Sequence, residues 1–173
     1  AALIEAARYN RAAFAPLYRR YVTAVYRYFA VRVRHRETAE DLTAQLFTEI
    51  LSKLPHYREQ GSFAGWIFTI AKRRLIDHYR QSKQELPLDY AANQADDDDL
   101  FGQLLDQQQR EQLLALVAEL EDEQQELLAL RFAAGLTYAE IGETVGKSEA
   151  ACKMPIRRLL KELHTFWEVR YDS

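Results

Sequence analysis

Apolar residues in the first part of the chain recur three or four positions apart, with occasional adjacent pairs. This spacing places them on one face of a helix and predicts a helix over residues 10–34. The pattern leaves open whether a separate short helix precedes this range. The members of the stripe are Phe14, Leu17, Tyr18, Tyr21, Val25, Tyr28 and Phe29.

Two more helices are expected in the first half of the chain. One should cover residues 39–54, with Thr38 as its N-cap and Pro55 at its end. The other should cover residues 63–82, with Ser62 as its N-cap. Together with the first helix they predict a small three-helix bundle. The apolar residues of the second helix, which repeat every four positions, are Leu42, Leu46 and Ile50.

The second half of the chain has shorter helical stripes, separated by turn signals. Asp122 is expected to cap one helix, and Gly135 is expected to follow its end in the left-handed conformation. Thr137 and Glu140 have the spacing of a capping box, and Ser148 is expected to cap the last helix. The apolar residues of these stripes are Leu113, Leu116, Val117, Leu120, Leu127, Leu128, Leu130, Phe132, Ile141, Val145, Ile156, Leu159, Leu160 and Leu163.

Residues 137–160 combine a helix of about eight residues, a glycine turn and a capped second helix. This is the layout of a helix-turn-helix, in which the second helix presents its first turns to the major groove of DNA. An ordinary helical hairpin is the alternative. Pro155 lies inside the second helix, where proline removes a backbone hydrogen bond, so we expect the helix to bend there, or to end early and restart.

The composition agrees with a helical protein. Only 6 Gly and 4 Pro occur in 173 residues, too few for the many turns of an all-β sandwich or barrel. No apolar run reaches the roughly 18 residues of a membrane span. We therefore expect no membrane insertion and a cytoplasmic location. The single cysteine, Cys152, excludes an intramolecular disulfide and is expected to be a small buried residue.

Charge divides the chain into parts. Residues 1–83 hold 15 Lys and Arg against 7 Asp and Glu, a net charge of +8, which indicates either a polyanionic partner or a solvated basic surface. Residues 84–110 hold 1 against 7, and the aspartates at 96–99 repel one another. We therefore expect an all-α fold of two small helical domains, 1–83 and 109–173, joined by an acidic flexible linker over 84–108.

Residue types used in catalysis and metal binding do not cluster. Cys152 has no second cysteine, and the sequence has no glycine-rich phosphate loop. The aspartate run lacks the alternating ligands of a calcium loop. We therefore expect no enzyme activity, no metal and no cofactor. The four histidines, which lack metal-ligand spacing, are His35, His56, His78 and His164.

Three segments resemble bacterial RNA polymerase sigma factors of the sigma-70 family, in its extracytoplasmic-function (ECF) group. Residues 130–163 read LRFAAGLTYAEIGETVGKSEAACKMPIRRLLKEL and resemble region 4 of that family. Residues 39–47 read AEDLTAQLF and resemble the part of region 2 that docks on core polymerase. Residues 63–80 read FAGWIFTIAKRRLIDHYR and resemble the part of region 2 that melts and captures the −10 promoter element. The segments occur in the order that the family has.

The resemblance implies a transcription initiation factor that binds core RNA polymerase and directs it to specific promoters. The residues that it implies in core binding are Asp41, Leu42, Gln45 and Phe47. Those that it implies at the melted −10 strand are Phe63, Trp66, Lys72, Arg73, Arg74, Asp77 and Arg80. Those that it implies at the −35 duplex are Ser148, Glu149, Lys153, Arg157 and Arg158.

The residues themselves fit these roles but leave alternatives open. Cations interleaved with aromatic rings suit melted DNA, which offers phosphates and unstacked bases. Plain core packing is the better interpretation of Trp66 and of Leu42. Relatives often carry a basic residue where Pro155 stands, Val where Cys152 stands and Asn where Arg73 stands, which bears on how the −35 and −10 elements are read.

Two other functions remain possible from the sequence. A stand-alone helix-turn-helix regulator would bind duplex DNA without polymerase, but it gives no role to residues 39–47 and 63–80. A helical scaffold would bind only protein. An anti-sigma protein is a further partner that such a factor can have, and the sequence does not decide whether one exists.

Overall fold

The computed structural model describes residues 2–84 and 107–171. Within these ranges all regular secondary structure is helical, which confirms the all-α prediction. The chain divides into two compact units, and each described range belongs to one of them. The predicted linker lies outside the described residues, except for its two ends, which are helical at residues 84 and 107–108.

Within residues 2–84, the first unit contains four α-helices instead of the predicted three. The additional helix is the short one that the sequence pattern left open, and it packs against the long helix that follows. A 3-10 turn, Arg11–Ala13, separates the two. The four helices are α1 (Ala2–Tyr9), α2 (Phe14–Val33), α3 (Arg36–Lys53) and α4 (Phe63–Gln84).

The core of the first unit forms where α2, α3 and α4 meet. Tyr28 of α2 is fully buried, and its ring meets the ring of Phe68 edge-on, with 5.6 Å between centroids. The hydroxyl of Tyr79 in α4 donates to the backbone oxygen of Arg32 at 2.6 Å, so a hydrogen bond also joins α4 to the end of α2. The predicted stripes supply most of the other core residues, among them Leu17, Val25, Phe29, Leu42, Leu46 and Ile50.

The start of α3 differs from its prediction. Thr38 was expected to be the N-cap, but the helix already begins at Arg36. His35 is extended and takes the capping position, where its Nδ1 accepts from the backbone N–H of Thr38 at 3.3 Å. The prediction was wrong because a histidine ring nitrogen, and not only a hydroxyl oxygen, can accept the capping hydrogen bond. Ser62, in contrast, caps α4 as predicted and accepts from the N–H of Gly65 at 2.9 Å.

Within residues 107–171, the second unit shows four α-helices and one π-helical turn. The turn, Ala129–Ala133, continues α6 and ends before Gly135, which has the predicted left-handed conformation with a φ of 71°. Glu121 caps α6 in place of Asp122, and its N–H donates to the side chain of Gln124 at 3.1 Å. The helices are α5 (Gln107–Ala118), α6 (Asp122–Leu128), α7 (Tyr138–Val145) and α8 (Glu149–Tyr171).

Seven residues of the predicted stripes in this unit are not buried: Phe132 and Leu160 are exposed, and Leu113, Val117, Leu120, Val145 and Leu163 are half-buried. Phe132 is 46% exposed because it lies in the π-helical turn, where wider winding breaks the helical period. Leu160 is 40% exposed, since its neighbour Leu159 already faces the core and adjacent helical residues point about 100° apart. Val145 is half-buried at the end of α7.

Helix α8 runs through Pro155 without interruption. The expectation that the helix ends early and restarts is therefore wrong, whereas the expected bend stays a prediction. Cys152 and Ile156 on either side of the proline are fully buried, so the packed face of α8 holds the helix together at this point. Among the described residues, no helix combines the length and the apolar character that crossing a membrane requires.

Candidate functional site

The four residues implied in docking on core polymerase fall into two pairs on α3. Asp41 and Gln45 are exposed and lie one helical turn apart on the same side. Leu42 and Phe47 are buried. The ring of Phe47 meets that of Tyr18 edge-on, with 4.7 Å between centroids. The structure thus offers a polar surface edge formed by the first pair and supported from below by the second.

A cluster of aromatic rings surrounds the start of α4. The ring of Phe63 is buried and lies 5.2 Å from that of Tyr57 and 5.6 Å from that of Tyr21. Trp66 is half-buried, 4.6 Å from Tyr57 and 5.4 Å from Phe63. Phe63 therefore supports this surface from within, whereas Trp66 both packs in the cluster and reaches solvent.

The two adjacent arginines of α4 are held by a carboxylate of α3. Arg73 forms an ion pair with Oε1 of Glu49, and Arg74 forms one with Oε2 at 2.6 Å. Lys53 also contacts Oε1, at 2.6 Å, and Arg74 donates to the side-chain oxygen of Gln45 at 3.1 Å. Glu49 is thus the centre of an ionic network that joins α3 to α4.

This network has an electrostatic consequence for Glu49. Partial burial disfavours its charged form, but Lys53, Arg74 and Arg73 together outweigh that effect and lower the pKa of the carboxyl below its ordinary value. The network lines a polar cavity of about 250 Å³ between α3 and α4. The residues around this cavity are Leu42, Gln45, Glu49, Arg73, Arg74, Asp77, His78 and Gln81.

The other charged residues predicted on α4 lie at the surface. Lys72 is half-buried, and Arg80 is exposed eight positions later, which places the two about 80° apart around the helix. Asp77 is exposed and borders the cavity next to the arginines. Burial lowers the pKa of the neighbouring His78, which favours its neutral form.

The predicted helix-turn-helix is present in the second unit, formed by α7, a short turn and α8. The capping box is complete, since Thr137 Oγ1 accepts from the N–H of Glu140 at 3.2 Å and a carboxylate oxygen of Glu140 accepts from the N–H of Thr137 at 2.8 Å. Gly146 ends α7 in the left-handed conformation, with a φ of 71°. Ser148 caps α8 by accepting from the N–H of Ala151 at 3.1 Å.

Close backbone packing fixes the turn of this motif. A Cβ atom on Gly142 would lie 2.6 Å from the backbone oxygen of Lys147, so only glycine fits without a shift of the turn. The N–H of Lys147 donates to the backbone oxygen of Gly142 at 3.0 Å, and its side chain forms an ion pair with Glu123. These contacts set the direction in which α8 leaves the turn.

Four of the five residues implied at the −35 duplex are exposed on α8 or at its cap, namely Ser148, Glu149, Arg157 and Arg158. The fifth, Lys153, is half-buried, and its ammonium lies 5.9 Å from the centre of the Tyr138 ring. The guanidinium of Arg131 lies 4.4 Å from the same ring. Cys152 is fully buried, as predicted, and burial raises the pKa of its thiol.

Two features of these surfaces were missed by the sequence analysis. The first is Glu49, an acid in a basic half of the chain, placed four residues after Gln45 and four before Lys53. That spacing was the only available signal, because the arginines it binds are 24 residues away or more. The second is the ring of Tyr138, which gave no signal beyond its place in the capping motif.

Each of the two units matches a known protein family. Residues 17–85 match the family described as Sigma-70 region 2, and residues 110–163 match Sigma-70, region 4. The chain is 35% identical to the ECF RNA polymerase sigma factor BldN of Streptomyces coelicolor over 93% of its own length, and it spans 63% of the length of that relative.

Two further similarities are to a second relative and, in fold alone, to a solved structure. The ECF RNA polymerase sigma factor SigF of Caulobacter vibrioides is 34% identical over 72% of the chain and 68% of its own length. A solved structure of CnrH in complex with the cytosolic domain of CnrY has the same fold, with a TM-score of 0.68 over 97% of this chain and 96% of that one, at 19% identity.

Proposed function

The chain belongs to the sigma-70 family of RNA polymerase sigma factors, in its ECF group, and from this premise we propose that it directs core RNA polymerase to specific promoters. Sigma factors are transcription initiation factors. In this proposal the polymerase carries out RNA synthesis and the chain itself catalyses no reaction, so it needs no cofactor. Its place of action is the cytoplasm, where bacterial transcription takes place.

Docking on core polymerase is proposed for the exposed polar edge of α3. Asp41 and Gln45 supply a carboxylate and an amide, which can pair with cationic and polar side chains of a partner. Phe47 contributes indirectly, because its contact with Tyr18 fixes α3 against α2 and hence the position of this edge, and Leu42 contributes through its burial.

Capture of the melted −10 strand is proposed for α4 and the loop before it. Single-stranded DNA offers phosphates to cations and unstacked bases to aromatic rings. Half-buried Lys72 and exposed Arg80 supply positive charge, and the half-exposed ring of Trp66 supplies a stacking surface supported by Phe63. Asp77 supplies acceptors for base amino groups. Arg73 and Arg74 add charge to this surface once they leave Glu49.

Contact with the −35 duplex is proposed for the first turns of α8. The observation that carries the whole proposal is the complete helix-turn-helix, capped at Ser148. It occurs in the same chain as the first unit, whose α3 carries the proposed docking surface. Ser148 and Glu149 lie at the start of the helix, where side chains reach base edges in the major groove. Three cations further along the helix can contact phosphates or guanine, namely Lys153, Arg157 and Arg158.

Run-off transcription with core RNA polymerase and a library of promoter sequences tests this proposal. The chain should enable transcription from a subset of promoters that share −10 and −35 elements. Replacing both Glu149 and Lys153 with alanine should weaken the preference at −35 and leave that at −10 unchanged. A chain that binds duplex DNA but never supports transcription by core polymerase would instead be a stand-alone regulator.

We also propose that an anti-sigma protein binds the chain. Such a protein should compete with core polymerase for the first unit or with DNA for the second. Added to the reconstituted transcription reaction, a genuine anti-sigma partner would lower promoter-directed transcription and leave unspecific RNA synthesis by core polymerase unchanged.

A further inference from the structure

We propose that Glu49 acts as an internal anion that occupies Arg73 and Arg74 and thereby limits the contact of α4 with the phosphates of single-stranded nucleic acid. The proposal rests on the proposed role of α4 at the melted −10 strand. It assigns a binding-determining role to an acidic residue that lies on a different helix from the cations it controls.

The geometry around Glu49 resembles the way in which proteins bind a phosphate. Its two carboxylate oxygens receive three cations, with Lys53 and Arg73 on Oε1 and Arg74 on Oε2. The Glu49 side chain is only 13% exposed, so these contacts are partly shielded from water. A nucleic-acid phosphate that approaches the same arginines must replace an anion already in place.

The two arginines differ in how readily they can change partner. Arg73 is 54% exposed and has its ion pair with Glu49, whereas Arg74 is 25% exposed and also donates to Gln45. An exposed ion pair changes an equilibrium by roughly 2- to 5-fold, so phosphate can displace Glu49 from Arg73 at a modest cost. Arg74 is held by two partners and should be released last.

This arrangement also bears on the charge of Arg73 itself. An exposed arginine on a nucleic-acid surface would by itself strengthen binding to any polyanion. In this chain, the carboxylate of Glu49 balances that arginine. Arg73 is therefore a charge whose contact with phosphate depends on breaking its ion pair.

Binding of a fluorescent single-stranded oligonucleotide to the full chain, measured by anisotropy at several salt concentrations, tests the proposal. Glu49→Gln should bind more tightly than the unchanged protein, by roughly 2- to 5-fold for each arginine released. Its salt dependence should steepen by about 0.7 in log–log slope for each new phosphate contact.

A matched control separates release of the arginines from the change in net charge. Glu40→Gln removes one negative charge from the same helix, but Glu40 is exposed and pairs with Arg36 within α3. We expect Glu49→Gln to exceed Glu40→Gln in both affinity and slope, and Arg73→Gln added to Glu49→Gln should remove part of that excess. Equal affinity and slope in the Glu49 and Glu40 variants overturn the proposal.

Two further measurements keep the test decisive. If Glu49→Gln melts too early to be assayed, Arg73→Gln and Arg80→Gln are compared in the otherwise unchanged chain. Loss of Arg73 should then cost less affinity than loss of exposed Arg80, and an equal or larger cost overturns the proposal. If replacing Lys72 and Arg80 leaves binding unaffected, the proposed role of α4 in nucleic-acid binding fails instead.

Discussion

Replacing Pro155 with alanine should stabilise the second unit. Pro155 lies inside α8, where its nitrogen has no hydrogen to donate to the backbone oxygen of Ala151. An interior proline costs a helix roughly 3 kcal/mol. Part of that cost is the missing hydrogen bond, which alone is worth about 1 kcal/mol. We therefore expect the free energy of unfolding to rise by about 1–3 kcal/mol.

Cys152 provides the assay for this change. It is the single cysteine of the chain, it is fully buried, and it lies one turn before Pro155. A thiol reagent reaches it only when the second unit opens, so the labelling rate under native conditions reports the opening free energy. Pro155→Ala should slow labelling by roughly 5-fold to more than 100-fold. Arg158→Ala, at an exposed position of the same helix, is the control and should stay within about 2-fold.

Pro155→Arg separates stability from recognition. It places a cation on α8 where the proline stood, so it should gain the same stability and also bind a −35 duplex more tightly through an added phosphate contact. Pro155→Ala should gain the stability alone. If Cys152 is labelled as fast in Pro155→Ala as in the unchanged protein, α8 accommodates the proline without cost and this reasoning is refuted.

Three further predictions address the other parts of the molecule. Thr137→Ala removes the cap of α7 and should lower the free energy of unfolding by about 1 kcal/mol, which faster thiol labelling of Cys152 would report. A labelling rate equal to that of the unchanged protein would show that the capping box with Glu140 is dispensable. The pKa of Glu49 is lowered in the fold, so the ionised carboxylate stabilises the protein at any pH above the ordinary pKa of 4.5. This stabilisation is lost as the pH falls through the lower pKa of the folded state. The thermal unfolding temperature of Glu49→Gln should therefore depend less on pH in this window than that of the unchanged protein. Replacing both Asp41 and Gln45 with alanine should weaken binding to core polymerase in a pull-down titration and change stability by only about 0.5 kcal/mol, and unchanged affinity would contradict the docking surface.

Local signals in the sequence were reliable where one helical turn contains all of the interacting groups. Ser62, Thr137 and Ser148 cap their helices as the spacing predicted, because a capping bond spans only two or three residues. The same logic failed at the start of α3. His35 took the position predicted for Thr38, since more than one residue type in a short window could accept the bond.

The sequence by itself determined the helical class of the protein, most of its helix boundaries and the helix-turn-helix, because hydrophobic periodicity and caps are properties of neighbouring residues. Only the tertiary structure decided which of the predicted contact residues are available. Phe63 is buried under Trp66, and Arg73 is tied to Glu49 across 24 positions of sequence. Such contacts depend on how α3 and α4 are rotated against each other when they pack. The spacing of residues within either helix carries no information about that rotation.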